Sequence, residues 1–114
     1  MMIEKLLYDF LTARIDVPVY MEMPASPPEA FVLMEKTGGG MSNHLRRATI
    51  AVQTYDASLY KTAGLNEVVK TAMLSCAELD AVARCELNSD YCYTDTTHKL
   101  YRYQAVFDVI YYEV

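Results

Sequence analysis

Hydrophobic and polar positions alternate along this chain with two different periods. Over residues 2–14, Ile3, Leu6, Leu7, Phe10 and Leu11 recur at helical spacing, and Glu4, Lys5, Asp9 and Thr12 take the other side. That spacing predicts an amphipathic helix. Residues 17–23 (VPVYMEM) read as extended chain, which Pro18 confines to a sheet edge or a strand start. Residues 24–29 (PASPPE) are a loop, because three prolines and a serine hold neither a ladder nor a helix interior. Residues 30–36 (AFVLMEK) form a short apolar run of strand length. Residues 37–43 (TGGGMSN) then bring three consecutive glycines, which carry no side chains to pack and lose much entropy on ordering. They are expected to form a mobile loop at the tip of a hairpin. Its second strand is residues 45–56, where Ala48, Ile50, Val52 and Thr54 alternate with Arg47, Thr49, Gln53 and Tyr55.

Helical period returns over residues 58–78. Leu65, Val68, Val69, Ala72, Met73 and Cys76 make the expected apolar stripe. Gly64 inside the pattern predicts an irregular start, with Asn66 as an alternative cap. Two strands follow. Residues 82–94 carry Ala83, Cys85 and Leu87 on one face, then a bulge or kink at 88–90. Residues 95–98 are a turn. Residues 100–112 set Tyr101, Tyr103, Ala105, Phe107, Val109 and Tyr111 on one face. Arg102, Gln104, Val106, Asp108 and Ile110 take the other face. A strand apolar on both faces belongs in the middle of a sheet or beneath a partner. The expected fold is α+β in the order α-β-β-β-α-β-β. It would be an antiparallel sheet of four to five strands with two helices packed on one face.

Composition bounds the function. With 114 residues, 53% of them hydrophobic and 22% charged, the chain has the make-up of one globular domain. The net charge of -5 disfavours a generic nucleic-acid binder. No apolar run approaches the roughly 20 residues of a membrane span, and no signal peptide is expected. Three cysteines, Cys76, Cys85 and Cys92, read as reduced cytosolic thiols and not as a disulfide framework.

Candidate chemistry is sparse. The glycine triplet runs into a strand and lacks the Lys-Ser/Thr pair that opens a phosphate-loop helix. Cys85, Cys92, His98 and His44 lack the ligand spacing of a compact zinc site. Neither histidine sits near a nucleophile elbow, and Asp95 beside His98 reads as turn chemistry. The chain is therefore expected to be no enzyme and to hold no metal or cofactor. Arg102 between Tyr101 and Tyr103 is the closest approach to a basic-aromatic RNA surface, but on a strand it points away from both.

Charge distribution says more than the total. Residues 1–35 hold two basic and six acidic side chains; residues 36–61 hold four and one; residues 62–114 hold four and eight. The one basic stretch surrounds the glycines, so Gly38, Gly39, Gly40, Arg46 and Arg47 form a candidate interaction loop. Tyrosine is also abundant: six of the ten follow residue 90. Amphipathic aromatic residues of this kind suit surfaces that neighbours cover.

These segments carry a resemblance. The first helix leads into LTARIDVPVYMEMP, the glycine stretch feeds LRRATIAVQTYDAS, a helix carries LNEVVKTAM, and the chain closes on KLYRYQAVFDVIYYEV. The Gln-x-Tyr-Asp of Gln53, Tyr55 and Asp56, followed by the late Tyr-Arg-Tyr-Gln of Tyr101 to Gln104, is similar to the small tail-terminator and tail-completion proteins of long-tailed bacteriophages and prophages. The resemblance implies an α/β sandwich subunit of a hexameric ring. That ring caps the tail tube and helps join tail to head, surrounding a channel for DNA. Its partners would be other copies of itself, the tail tube and head-tail connector proteins, with no membrane. Its place would be the virion tail or neck, assembled in the bacterial cytoplasm. Related neck and minor capsid proteins share this size and composition. The contrasting expectation is a small non-catalytic ligand- or peptide-binding module of the same architecture.

Overall fold

A computed structural model describes residues 2–95, 97–98 and 100–112. Helix α1 (Ile3–Arg14) is followed by β1 (Val19–Tyr20), β2 (Phe31–Ser42), β3 (Leu45–Tyr55), helix α2 (Leu59–Leu74), a 3-10 turn (Ser75–Glu78), β4 (Val82–Cys92) and β5 (Arg102–Tyr112). The strands form one five-stranded sheet in the order β1-β2-β3-β5-β4. The fold is α+β, but the sheet is mixed and not purely antiparallel. β1 pairs parallel to β2 through Val19 with Val32 and Tyr20 with Leu33. The proline-bearing connection across residues 21–30 returns the chain in the same direction, and the parallel pairing stops after those two positions. β5 lies between β3 and β4, which accounts for its apolar residues on both faces.

One sheet face is closed by the helices. Ile3, Leu7, Phe10 and Leu11 of α1 meet Val69, Ala72, Met73 and Cys76 of the second helical segment over Val32, Met34, Ile50, Val52, Phe107 and Val109. The buried side of α2 differs from the predicted stripe: Thr62, Asn66, Val69 and Met73 face inward, and Val68 is 51% exposed. Asn66 is buried instead of capping, because its Nδ2 donates to Asp90 Oδ1 at 2.8 Å. Asp90 also accepts from Lys70, whose ammonium is held above its ordinary value by that bond and by Glu67. The helix starts cleanly at Leu59 because Ser58 Oγ accepts from the Lys61 amide at 3.1 Å. Gly64 lies exposed within an unbroken helix.

The greatest departure is the hairpin tip. The glycines do not form a loop. Gly38, Gly39 and Gly40 pair with Thr49, Ala48 and Arg47 inside β2, and none has positive φ. The turn is made by Asn43 (φ 52°) and His44 (φ 68°), between the paired Ser42 and Leu45. Both central residues are left-handed, as tight hairpins require, and Asn and His tolerate that region better than most residues. Thr37 is the extra residue of a bulge between Lys36 and Gly38. In β4, bulges fall at Ala83 and at Asn88. The second lies in the predicted segment. The first turns Ala83 outward and leaves Cys85 packed against the core.

Candidate interaction surface

The second face of the sheet carries no helix. Strand alternation and the observed register place Gly38 and Gly40 of β2, Arg47, Thr49, Gln53 and Tyr55 of β3, and Arg102, Gln104, Asp108 and Ile110 of β5 on it. β4 adds Arg84, Glu86 and Tyr91. β2, at 12 residues, spans about 40 Å at the usual rise per residue. The molecule measures 45 × 24 × 23 Å, so β2 runs along the long axis. Gly40 and the turn therefore lie at one end, and Phe31 and Tyr55 at the other.

At the Phe31 end the face is a polar ladder on an aromatic floor. Phe31 and Tyr55 stack at 4.4 Å between ring centroids. Tyr55 Oη donates to Gln53 Oε1 at 2.9 Å, and Gln53 Nε2 donates to Gln104 Oε1 at 2.8 Å. Gln104 Nε2 donates to Tyr91 Oη, and Arg102 Nη1 donates to Tyr55 Oη at 3.4 Å. Side chains of β3, β5 and β4 are thus joined across the sheet. Arg102 points away from Tyr101 and Tyr103 but covers the ring of Tyr93 on the segment that follows β4, 4.2 Å from its centroid. The proline-bearing loop borders this end. Met23, Pro27, Pro28, Glu29, Asp56 and Leu100 surround a depression of about 370 Å³.

At the glycine end the face is a trough. Two adjoining depressions of about 340 and 500 Å³ share Arg47, Arg84 and Ile110. Their lining also includes Gly39, Gly40, Arg46, Thr49, Glu86 and Asp108. Asp108 is occupied, accepting from Asn88 at 2.9 Å and Thr49 at 3.4 Å. Arg84 bonds Glu86 at 3.2 Å while 65% exposed. Arg47 is exposed.

No family model matches this chain, and no curated protein matches it. Of the predicted loop residues, Gly38, Gly40 and Arg47 share the open face. Gly39 and Arg46 face the helix side, where the Arg46 guanidinium lies 5.9 Å from the Tyr111 ring centroid. The basic pair is thus split between two faces, as strand alternation demands. Arg84 takes the place of Arg46 beside Arg47. The alternation of Cys85 and Leu87 already sets Arg84 on the face opposite to them; what no local pattern gives is the strand order that brings it beside Arg47 across Ile110.

The remaining titratable residues are dispersed. His44 sits at the hairpin turn and His98 near the opposite end, so the four residues weighed for zinc are not brought together. Asp95 accepts from the amides of Thr97 and His98 at 3.1 and 3.2 Å and meets His98 Nδ1 at 2.8 Å. These bonds hold its carboxyl below the ordinary carboxylate value, His98 being the largest cause. That is the predicted turn chemistry; Thr96 of the same turn lies outside the described residues. Cys76 is buried, Cys85 half-buried and Cys92 exposed, all as free thiols. Hydrogen bonding with Cys76 and burial push the Cys85 thiol up, which makes it a poor nucleophile at neutral pH. No helix among the described residues is long and apolar enough to cross a membrane.

Proposed function

We propose that the chain is a structural virion-assembly protein: a tail-terminator or tail-completion subunit that forms a ring, caps the tail tube and helps join it to the head. Its partners in this reading are further copies of itself, most simply six, with the tube and the head-tail connector above and below. DNA passes through the ring and is not read. No side chain is given a catalytic role.

The observation that carries the reading is the meeting of the two segments on which the resemblance rests. Gln53 and Tyr55 of the Gln-x-Tyr-Asp segment pair with Gln104 and Arg102 of the Tyr-Arg-Tyr-Gln segment across adjacent strands. Their side chains bond to each other as well. Two motifs some fifty positions apart in the chain thus act as one surface element. The surrounding face supports the same reading. It is uncovered by helices, aromatic and hydrogen-bonded at one end, and mixed in charge at the other, where Arg47 and Arg84 stand beside Glu86 and Asp108, as suits contact with neighbours.

Deletion of the gene from the phage or prophage that carries it tests the reading. Heads and tails should then accumulate unjoined, and purified chain should restore joining and appear as rings at tube ends in electron micrographs. Normal yields of joined particles from the deletion would overturn it. A chain that ignores tubes but takes a short peptide into the trough would favour a non-catalytic peptide-binding module.

A further inference from the structure

The sheet ends in two free edges. β1 meets β2 only at Val32 and Leu33, so nothing among the described residues pairs with the outer side of β2 beyond them. β4 forms the other edge. Unpaired backbone at an edge is a template for another strand.

The register shows which backbone groups are free. The two-residue turn of Asn43 and His44 lies between the paired Ser42 and Leu45, and such a turn closes with the Leu45 amide donating to the Ser42 carbonyl. Bonded and non-bonded pairs then alternate back along the hairpin. Gly40 with Arg47 is a bonded pair, whereas Gly39 with Ala48 and Met41 with Arg46 are not. Gly39 and Met41 therefore turn their N–H and C=O groups outward. At the other edge, the Tyr93 amide donates to the Arg102 carbonyl and the Tyr112 amide to the Ala81 carbonyl, each at 2.9 Å. Even-numbered residues of β5 thus bond β4, which makes Glu86 with Asp108 and Arg84 with Ile110 bonded pairs. Cys85 and Leu87, lying between the bulges at Ala83 and Asn88, turn their backbone groups outward.

The two edges are complementary. β2, β3, β5 and β4 are antiparallel in succession, so β4 runs opposite to β2. A rotation about an axis along the strands preserves strand direction, and it brings β4 of one copy antiparallel to β2 of the next. Gly39, Met41, Cys85 and Leu87 all lie on the helix side of the sheet, opposite or beside core positions of the neighbouring strand. A joined sheet therefore keeps every copy's helices on one side. The regular stretches also match in length. Residues 84–87 lie between the two β4 bulges, and residues 38–42 between the β2 bulge and the turn. Neither proline nor charge guards residues 38–42. Met41 and Leu87 are 70% and 40% exposed within one copy.

We infer that β2 of one copy pairs antiparallel with β4 of a second copy, Met41 opposite Cys85 and Gly39 opposite Leu87. The inference rests on the ring reading and supplies its subunit contact. Met41 and Leu87 become diagonal neighbours on one face, and Gly39 sets no side chain against Leu87. Two different edges meet, so the contact is heterologous, and repetition gives a ring if the rotation closes.

Sedimentation velocity over a wide concentration range, with amide hydrogen exchange on the same samples, tests this. Wild-type chain should sediment above its 13.0 kDa monomer. The Gly39, Met41, Cys85 and Leu87 amides should exchange at least about tenfold more slowly in the assembled fraction than in the monomer. Met41→Pro and Leu87→Pro each remove an outward N–H and no bond within the sheet. Each alone should raise the concentration needed for association by more than about tenfold. Their equimolar mixture retains one sound β4 edge and one sound β2 edge, on different chains, and should stop at dimers. Thermal melts like wild type show that a variant folds; if one melts early, the exchange measurement on wild type decides alone. Assembled chain whose Gly39 and Met41 amides exchange as in the monomer would overturn this contact while leaving a ring intact. So would folded Met41→Pro chain that associates like wild type, or a mixture that grows beyond dimers. Wild-type chain that stays monomeric throughout would overturn the second-copy occupant; tail joining by the purified chain then decides separately on the ring.

Discussion

The two faces of one sheet are built by opposite rules. Phe107 and Gln104 stand three positions apart on β5 and face opposite ways. Phe107 is fully buried on the helix side of the sheet, within the main hydrophobic cluster. Gln104 is half-exposed and bonded on both sides, to Gln53 and to Tyr91. The first face is closed within the chain and needs no neighbour. The second is organised across three strands by side-chain hydrogen bonds, which contribute little net stability in water but fix the positions of the groups that make them. The apolar burial of the core therefore lies on one face, and positioned polar groups lie on the other.

Substitutions can separate the two. Phe107→Ala should cost about 3–5 kcal/mol, read as a large fall in the midpoint of denaturant unfolding. A small loss would mean that the helix face is loosely packed. Asp90→Ala should cost about 1–3 kcal/mol, because it strands the buried Asn66 amide and removes the Lys70 partner. Its effect also depends on pH. The Lys70 value is raised on folding, so the ion pair contributes fully below 10.5 and is lost as pH climbs through the raised value. The gap between wild type and Asp90→Ala should thus narrow in alkali to what the Asn66 bond contributes. Gln104→Leu should change stability by no more than about 1 kcal/mol, since Gln53 and Tyr91 can turn to water. A loss as large as that of Phe107→Ala would contradict the division between faces.

Much of this division is legible in the sequence. The alternation of residues 100–112 assigns both faces of β5 correctly, and the stripe of Ile3, Leu7, Phe10 and Leu11 assigns α1. What is not legible has three sources. Left-handed backbone fell to Asn43 and His44, so the glycines that usually signal such a turn were free to lie in a strand. The first bulge in β4 turned Ala83 out of its expected face, and the place of Arg84 beside Arg47 depends on the strand order β3-β5-β4, which no local pattern encodes. Asn66 is buried because of Asp90, which lies 24 positions later; no local pattern encodes such a partner. The parallel pairing of β1 was missed for a related reason, as a two-residue strand after a proline carries almost no directional signal.

The central claim is that stability resides on the helix face and that, in the proposed reading, contact with neighbours resides on the open face. Denaturant unfolding together with tail joining, measured for Phe107→Ala and for Arg47→Glu, tests it most directly. The account predicts that Phe107→Ala loses about 3–5 kcal/mol, and that Arg47→Glu, at an exposed side chain, unfolds like wild type yet joins fewer tails. An Arg47→Glu chain that joins tails like wild type, or that is destabilised as much as Phe107→Ala, would contradict it.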